Sequence, residues 1–166
     1  VGGHTRDHER ARPVIGWREW VGLPDFDVVT IKAKVDTGAR TSSLHAFDID
    51  PFRRRGRDMV RFGIHPEQRS ARHAVVVETP VADWRRVRSS SGEAELRPVV
   101  LATIELLDQR WKAELTLTRR DEMGFRMLLG RQAIRGRFVV DPGTSFLGGK
   151  RVKGTRRLKR RREGAS

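Results

Sequence analysis

Apolar and polar residues alternate with a period of two along much of this chain, and no long stretch holds the helical period. Ile31, Ala33 and Val35 alternate with Thr30, Lys32 and Lys34, and Val60, Phe62 and Ile64 with Arg61 and Gly63. Further on, Ala102, Ile104 and Leu106 alternate with Thr103 and Glu105, then Trp111, Ala113, Leu115 and Leu117 with Lys112, Glu114, Thr116 and Thr118. Successive side chains of a strand point to opposite faces, so this pattern predicts strands with one face in a core. The short Asp108-Gln109 link between the last two predicts a hairpin. One short helix is expected over Arg131 to Ile134, closed by Gly136. Short strands in close succession imply a mainly β chain, a small mixed or closed β-barrel with one short C-terminal helix.

A chain of 166 residues suits one domain that buries about 70% of its unfolded surface without disulfides or metals. The strand pattern assigns that domain to residues 13–149, after a loose leader at 1–12 and before a basic tail at 150–166. The tail carries nine Lys and Arg against one Glu, a large part of the formal net charge of +14. With so little apolar content it is expected to be disordered, either merely solvated or in contact with RNA, ribosomes or an acidic protein. Cysteine is absent, which excludes disulfide frameworks, thiol catalysis and Cys-ligated zinc together. The longest apolar runs, Ala74 to Val77 and Val99 to Ala102, have four residues, so none spans a bilayer. The first twelve residues lack the apolar core of a signal peptide, and a cytoplasmic location is expected.

Two segments invite a functional reading. Residues 84–98, WRRVRSSSGEAELRP, read as two extended arms around a Ser-Ser-Gly turn, either a flap over a site or a surface hairpin. Residues 31–46, IKAKVDTGARTSSLHA, run an alternating strand into Asp36-Thr37-Gly38-Ala39. A carboxylate at a strand end, followed by a small residue and glycine, sits in a tight turn open to close approach. Alone, such an Asp can equally make an Asx-turn or cap a short helix. Its context is an apolar segment far downstream, Met127-Leu128-Leu129-Gly130-Arg131-Gln132.

With that context the sequence resembles the retropepsin-like aspartic proteases, which join a hydrophobic strand and D-[TS]-G-A to a later hydrophobic-hydrophobic-Gly-Arg segment. It is more closely similar to a bacterial family labelled ATP-dependent zinc proteases, also described as RimK-associated, RimB-like retropepsin-like proteases. The matching stretches are residues 14–24, 31–46, 85–100 and 114–147. The resemblance implies a barrel of retropepsin type, with Asp36 catalytic and Thr37, Gly38 and Ala39 forming the active-site loop. It places Thr37 as a hydroxyl bonding across a two-fold axis, and Gly38 near the substrate backbone. Arg40, Thr41, Ser42 and Arg131 would face substrate, while Leu128, Leu129 and Gly130 would support the loop.

Aspartic peptidases need two carboxylates sharing a proton, one polarising the scissile carbonyl and one activating water. This chain has one D-T-G; none of Asp48, Asp50, Asp58 and Asp141 is followed by Thr or Ser and then glycine. Such an enzyme needs a second copy, because a two-fold axis brings the same residue of each subunit together. A homodimer is therefore expected. The zinc and ATP of the family label have no counterpart in the residues. His4, His8, His45, His65 and His73 show no ligand spacing, and there is no H-E-x-x-H. The stretch from Gly143 to Arg151 has one residue too many for a phosphate-binding loop, and arginine where Ser or Thr should follow the lysine. No metal or cofactor is expected, and the ATP fits an associated ATP-grasp glutamate ligase better.

One position departs from the wider pattern. Retropepsins commonly continue D-T-G-A-D, the last Asp pairing with the arginine of Gly-Arg, whereas here Arg40 stands opposite a retained Arg131. Either these cations find other carboxylates, such as Asp121 or Glu122, or they face an anionic ligand, for which arginine's planar fork is suited. The leading expectation is an aspartic endopeptidase acting on glutamate-rich or ligase-modified proteins. The alternatives are a non-catalytic regulator of a RimK-like ligase with the same fold, and an RNA- or ribosome-binding module dominated by the tail.

Overall fold

The computed structural model describes residues 11–67, 74–88, 91–119 and 124–149. The leader, apart from its last two residues, the basic tail and the pair Asp121 and Glu122 lie outside them. The chain is mainly β. Its strands are β1 (Val14–Ile15), β2 (Arg18–Leu23), β3 (Val28–Asp36), β4 (Ser42–His45), β5 (Phe47–Arg54) and β6 (Arg57–Ile64). After these come β7 (Val75–Pro80), β8 (Asp83–Arg88), β9 (Ala94–Leu106), β10 (Gln109–Thr118), β11 (Met127–Gly130) and β12 (Val139–Val140). A four-residue helix, α1 (Arg131–Ile134), follows β11 directly.

The largest sheet runs β10-β4-β11-β3-β2-β9-β8, and β9 also pairs with β10. β2 meets β9 at one residue pair, Gly22 with Glu105, beside a register shift in β2. The alternation read from the sequence is realised in β3 and the first half of β10, but Thr116 and Thr118, read as the polar face, are buried along with Leu115 and Leu117. In β3, Ile31 and Ala33 are fully buried while Lys34 is exposed, and in β10 Trp111, Leu115 and Leu117 are buried while Lys112 is exposed. The β9–β10 turn falls on Leu107-Asp108, one residue earlier than the sequence suggests. Leu107 takes a positive φ of 53° there, a conformation that a γ-branched side chain does not advertise.

A three-stranded sheet, β5-β6-β7, carries the fully buried Val60 and Ile64 and the nearly buried Phe62 into the same core. Gly63 is required by packing, since a Cβ there would lie 2.1 Å from the Phe47 ring. That ring stacks on His65 at 4.1 Å between centroids. β8 and the first part of β9 form the hairpin expected over residues 84–98, paired from Asp83–Val99 to Arg88–Ala94. The short β1 and β12 pair in parallel. No helix among the described residues is long and apolar enough to cross a membrane.

The segment after β12 returns along the start of β2. The Trp17 amide donates to the Thr144 carbonyl at 2.9 Å, and the Phe146 amide to the Arg18 carbonyl at 3.0 Å. Glu19, fully buried, holds this strap. Its Oε2 accepts from the Gly16 and Leu147 amides at 3.0 Å each, and its Oε1 from the Gly148 amide at 2.7 Å. Three N–H donors on one carboxylate explain how a charged side chain is accommodated in a core. Gly16 permits the approach, as a Cβ there would sit 2.3 Å from the Thr144 oxygen. The Trp17 carbonyl in turn accepts from the Val35 amide at 2.8 Å, one residue before Asp36.

Candidate active site

β3 ends on Asp36, and the chain turns through Thr37 to Thr41 before entering β4. β11 lies between these two strands. It is parallel to β3, with Gly130 beside Asp36, and antiparallel to β4, with Met127 beside Leu44. The loop from β3 to β4 therefore passes over the end of β11. Met127 and Leu129 anchor β11 in the core, while Leu128 is half-buried. At Gly130 the approach is closest: a Cβ there would lie 2.5 Å from the carbonyl carbon and oxygen of Thr41. Only glycine lets the strand end under the loop.

The start of α1 holds the loop from beneath. The first amides of a helix have no partner within it. Here the Arg131 amide donates to the Ala39 carbonyl at 2.8 Å and the Gln132 amide to the Arg40 carbonyl at 3.1 Å. The Gly130 amide donates to Ser42 Oγ at 3.0 Å. The Arg131 guanidinium reaches further, one Nη donating to the Thr37 and Gly38 carbonyls at 3.0 Å each. Three consecutive residues, Gly130 to Gln132, thus bind the whole loop.

Asp36 is half-buried at the loop's start. Its Oδ1 accepts from the Gly38 amide at 3.2 Å, and its carbonyl accepts from the Ala39 amide at 3.2 Å. The Asx-turn raised by the sequence is present, and it fixes one carboxylate oxygen. The other, Oδ2, takes no hydrogen bond among the described residues. Thr37, Gly38 and Arg40 are exposed, and Ala39 and Thr41 half-buried. The structure thus gathers Asp36 to Ser42 and Leu128 to Arg131 into one site. Within it Ser42 is buried and bonded to Gly130, and Arg131 is bonded to the loop carbonyls. The Arg40 side chain has no ion pair or hydrogen bond among the described residues, and the alternative partners Asp121 and Glu122 lie outside them. The Gln132 amide was not singled out by the sequence; its signal is its place in the first turn after Gly-Arg. Among the described residues no three His, Asp or Glu cluster as a metal site.

A half-buried aspartate on a loop after a strand, crossed by an internal strand ending in Gly-Arg, is the arrangement expected of a retropepsin half-site. The chain belongs to the RimB-like family of retropepsin-like aspartic endopeptidases, whose model matches residues 14–151. It is 49% identical over 133 residues to a probable alpha-L-glutamate ligase of Shewanella pealeana, covering 80% of this chain and 29% of that protein. It is 45% identical over 132 residues to a protein of the same name from Desulfotalea psychrophila, covering 80% of this chain and 28% of that one. The chain thus spans less than a third of these relatives. Among solved structures, Lpg0085 of Legionella pneumophila, a protein of unknown function, superposes with a TM-score of 0.68 at 31% identity. That match covers 82% of this chain and 98% of the other.

Proposed function

We propose that this chain is an aspartic endopeptidase of retropepsin type, whose active site is completed when two copies meet at their Asp36 loops. The observation that carries the reading is the bracing of the Asp36-Thr37-Gly38 turn by Gly130 and Arg131. Within the braced turn the Gly38 amide holds one oxygen of Asp36, which leaves the other for a second carboxylate, as two-aspartate chemistry requires. The pairing circuit β10-β4-β11-β3-β2-β9, returning to β10, supports reading residues 13–149 as one small closed barrel. In this scheme Asp36 is the catalytic residue, with Thr37 to Ala39 as its loop and Arg40 and Thr41 toward substrate. Ser42, Leu128, Leu129, Gly130 and Arg131 position the loop. The substrate we favour is a glutamate-rich or ligase-modified protein, since the exposed Arg40 suits a carboxylate and the longer relatives carry the ligase name. A cytoplasmic setting beside an ATP-grasp glutamate ligase follows from that reading.

A second reading rests on those same relatives, in which a segment like this chain forms part of a protein named as a ligase. It makes the fold a non-catalytic regulator. Cleavage of oligoglutamate-tailed and neutral peptides by wild type and Asp36→Asn separates the two. The enzyme reading expects cleavage that survives chelators and is abolished in Asp36→Asn while ligase binding persists. Cleavage undiminished in Asp36→Asn, or lost to EDTA and restored by zinc, would refute it.

A further inference from the structure

Beside the loop frame lies a cavity of about 310 Å³ that the proposed peptidase chemistry does not use. Its position follows from the strand lengths. β4 begins at Ser42, which pairs with Leu115 of β10. The earlier residues of β10, from Trp111 to Glu114, extend past the start of β4, and the turn after α1 lies against them. The cavity opens between this part of β10, the β4 entry at Thr41 and Ser42, and the stretch Gln132 to Arg137.

Its lining is chemically biased. Lys112, Arg135 and Arg137 are cationic, and the single acidic member, Glu114, is already ion-paired with Arg85. Arg135 and Arg137 have no ion-pair partner among the described residues. Arg137, half-buried, stands over the Trp111 ring at 5.0 Å. Trp111 itself is only 7% exposed, and its indole N–H, buried, donates to nothing among the described residues. The unpaired guanidinium groups of Arg135 and Arg137, beside Lys112, therefore call for a bound group carrying negative charge, with the Trp111 ring as part of the wall.

We propose that this cavity is a second binding site, for a small organic anion bearing a carboxylate or phosphate group, adjoining the Asp36 loop at Thr41 but centred away from Asp36. Its size is at the lower end of small-molecule pockets, enough for one such group on a short carbon body. The site shares Thr41, Ser42 and Gln132 with the frame that holds the Asp36 loop, so an occupant would act on that loop as an effector.

The test is a nitrogen-15 NMR titration of the full chain with inorganic phosphate and, separately, L-glutamate, with chloride holding ionic strength constant. The chain has four tryptophans, and the Trp111 indole resonance is identified by its loss in Trp111→Phe. A saturable shift of that resonance by either anion is expected, phosphate or glutamate identifying which group the site takes. Arg137→Gln should weaken the response about tenfold. The exposed Arg135→Gln should weaken it too, with the ligand-free melting temperature unchanged, and Asp36→Asn should leave it intact. No saturable shift with either anion, an equal response to chloride, or wild-type affinity in both arginine variants would overturn the proposal. The titration needs no peptidase activity, so its outcome stands apart from that of the cleavage assay.

Discussion

Glu19 is the side chain whose removal should reveal most about how this fold is held. Its carboxylate collects amides from Gly16, Leu147 and Gly148 at 2.7–3.0 Å. Gly16 is buried, whereas Leu147 and Gly148 are exposed and can turn to water once released. Glu19→Ala therefore orphans one buried donor, at about 1–3 kcal/mol, and loses two charge-assisted bonds whose donors rehydrate, at about 0.5–1.5 kcal/mol each. The expected total is about 2–6 kcal/mol, or on the order of 10 °C in melting temperature for a domain of this size. Glu19→Gln keeps one oxygen, which can serve Gly16 and Leu147, while its amide nitrogen faces the Gly148 N–H. Because Gly148 is free to swing outward, that variant should cost only about 1–2 kcal/mol. Urea and thermal unfolding followed by tryptophan fluorescence measure both. Hydrogen exchange at the Val35 amide, which donates to the carbonyl of neighbouring Trp17, should accelerate in the same order. An Ala variant within 1 kcal/mol of wild type, or a Gln variant as unstable as Ala, would refute the reasoning.

Three further outcomes follow from the site and its surroundings. Gly130→Ala should cost about 1–3 kcal/mol through overpacking against Thr41, yet reduce peptide cleavage about a hundredfold by shifting the loop; melting curves and kinetics together distinguish the two effects. Arg40→Ala should lower turnover of glutamate-rich peptides about tenfold more than that of neutral ones with thermal stability intact, and an equal loss on both would remove Arg40 from substrate recognition. The Asp25 carboxyl is held below its usual range by the Thr103 amide at 2.8 Å and by the Thr103 side chain. Its stabilisation is therefore fully present above the ordinary carboxylate pKa and is lost as pH falls through the lowered value. Asp25→Asn should be less stable than wild type at neutral pH, by at most about 1 kcal/mol for so exposed a group, and melting scans should show the gap closing in acid.

What the sequence discloses depends on how local the physics is. β3, the second half of β9 and the first half of β10 are legible because each presents one face to the core and burial repeats every second residue, whereas the ends of β6 and β10 are buried on both faces. β5 is not, since it carries Pro51 and four exposed arginine and aspartate side chains at the edge of its sheet. β1 and β12 are two residues each and meet only through the fold. Glu19 reads as an ordinary surface glutamate within Arg-Glu-Trp; two of its three partners lie 128 and 129 residues away. At the site, the D-T-G turn and the downstream Gly-Arg are both visible as motifs. The work of Arg131 is less so, because the acid expected at position 40 is an arginine. Its guanidinium binds the loop carbonyls instead, a role carried by backbone atoms that no side-chain pattern records.

The central claim is that Asp36 works as one half of a pair, and the direct measurement is the separation of the two Asp36 carboxylates in a dimer bound to a hydroxyl-bearing transition-state mimic. The account predicts that two copies meet at these loops with carboxylate oxygens about 3 Å apart, close enough to share a proton. Carboxylates held too far apart to share a proton, or a strictly monomeric species that cleaves peptides, would contradict it.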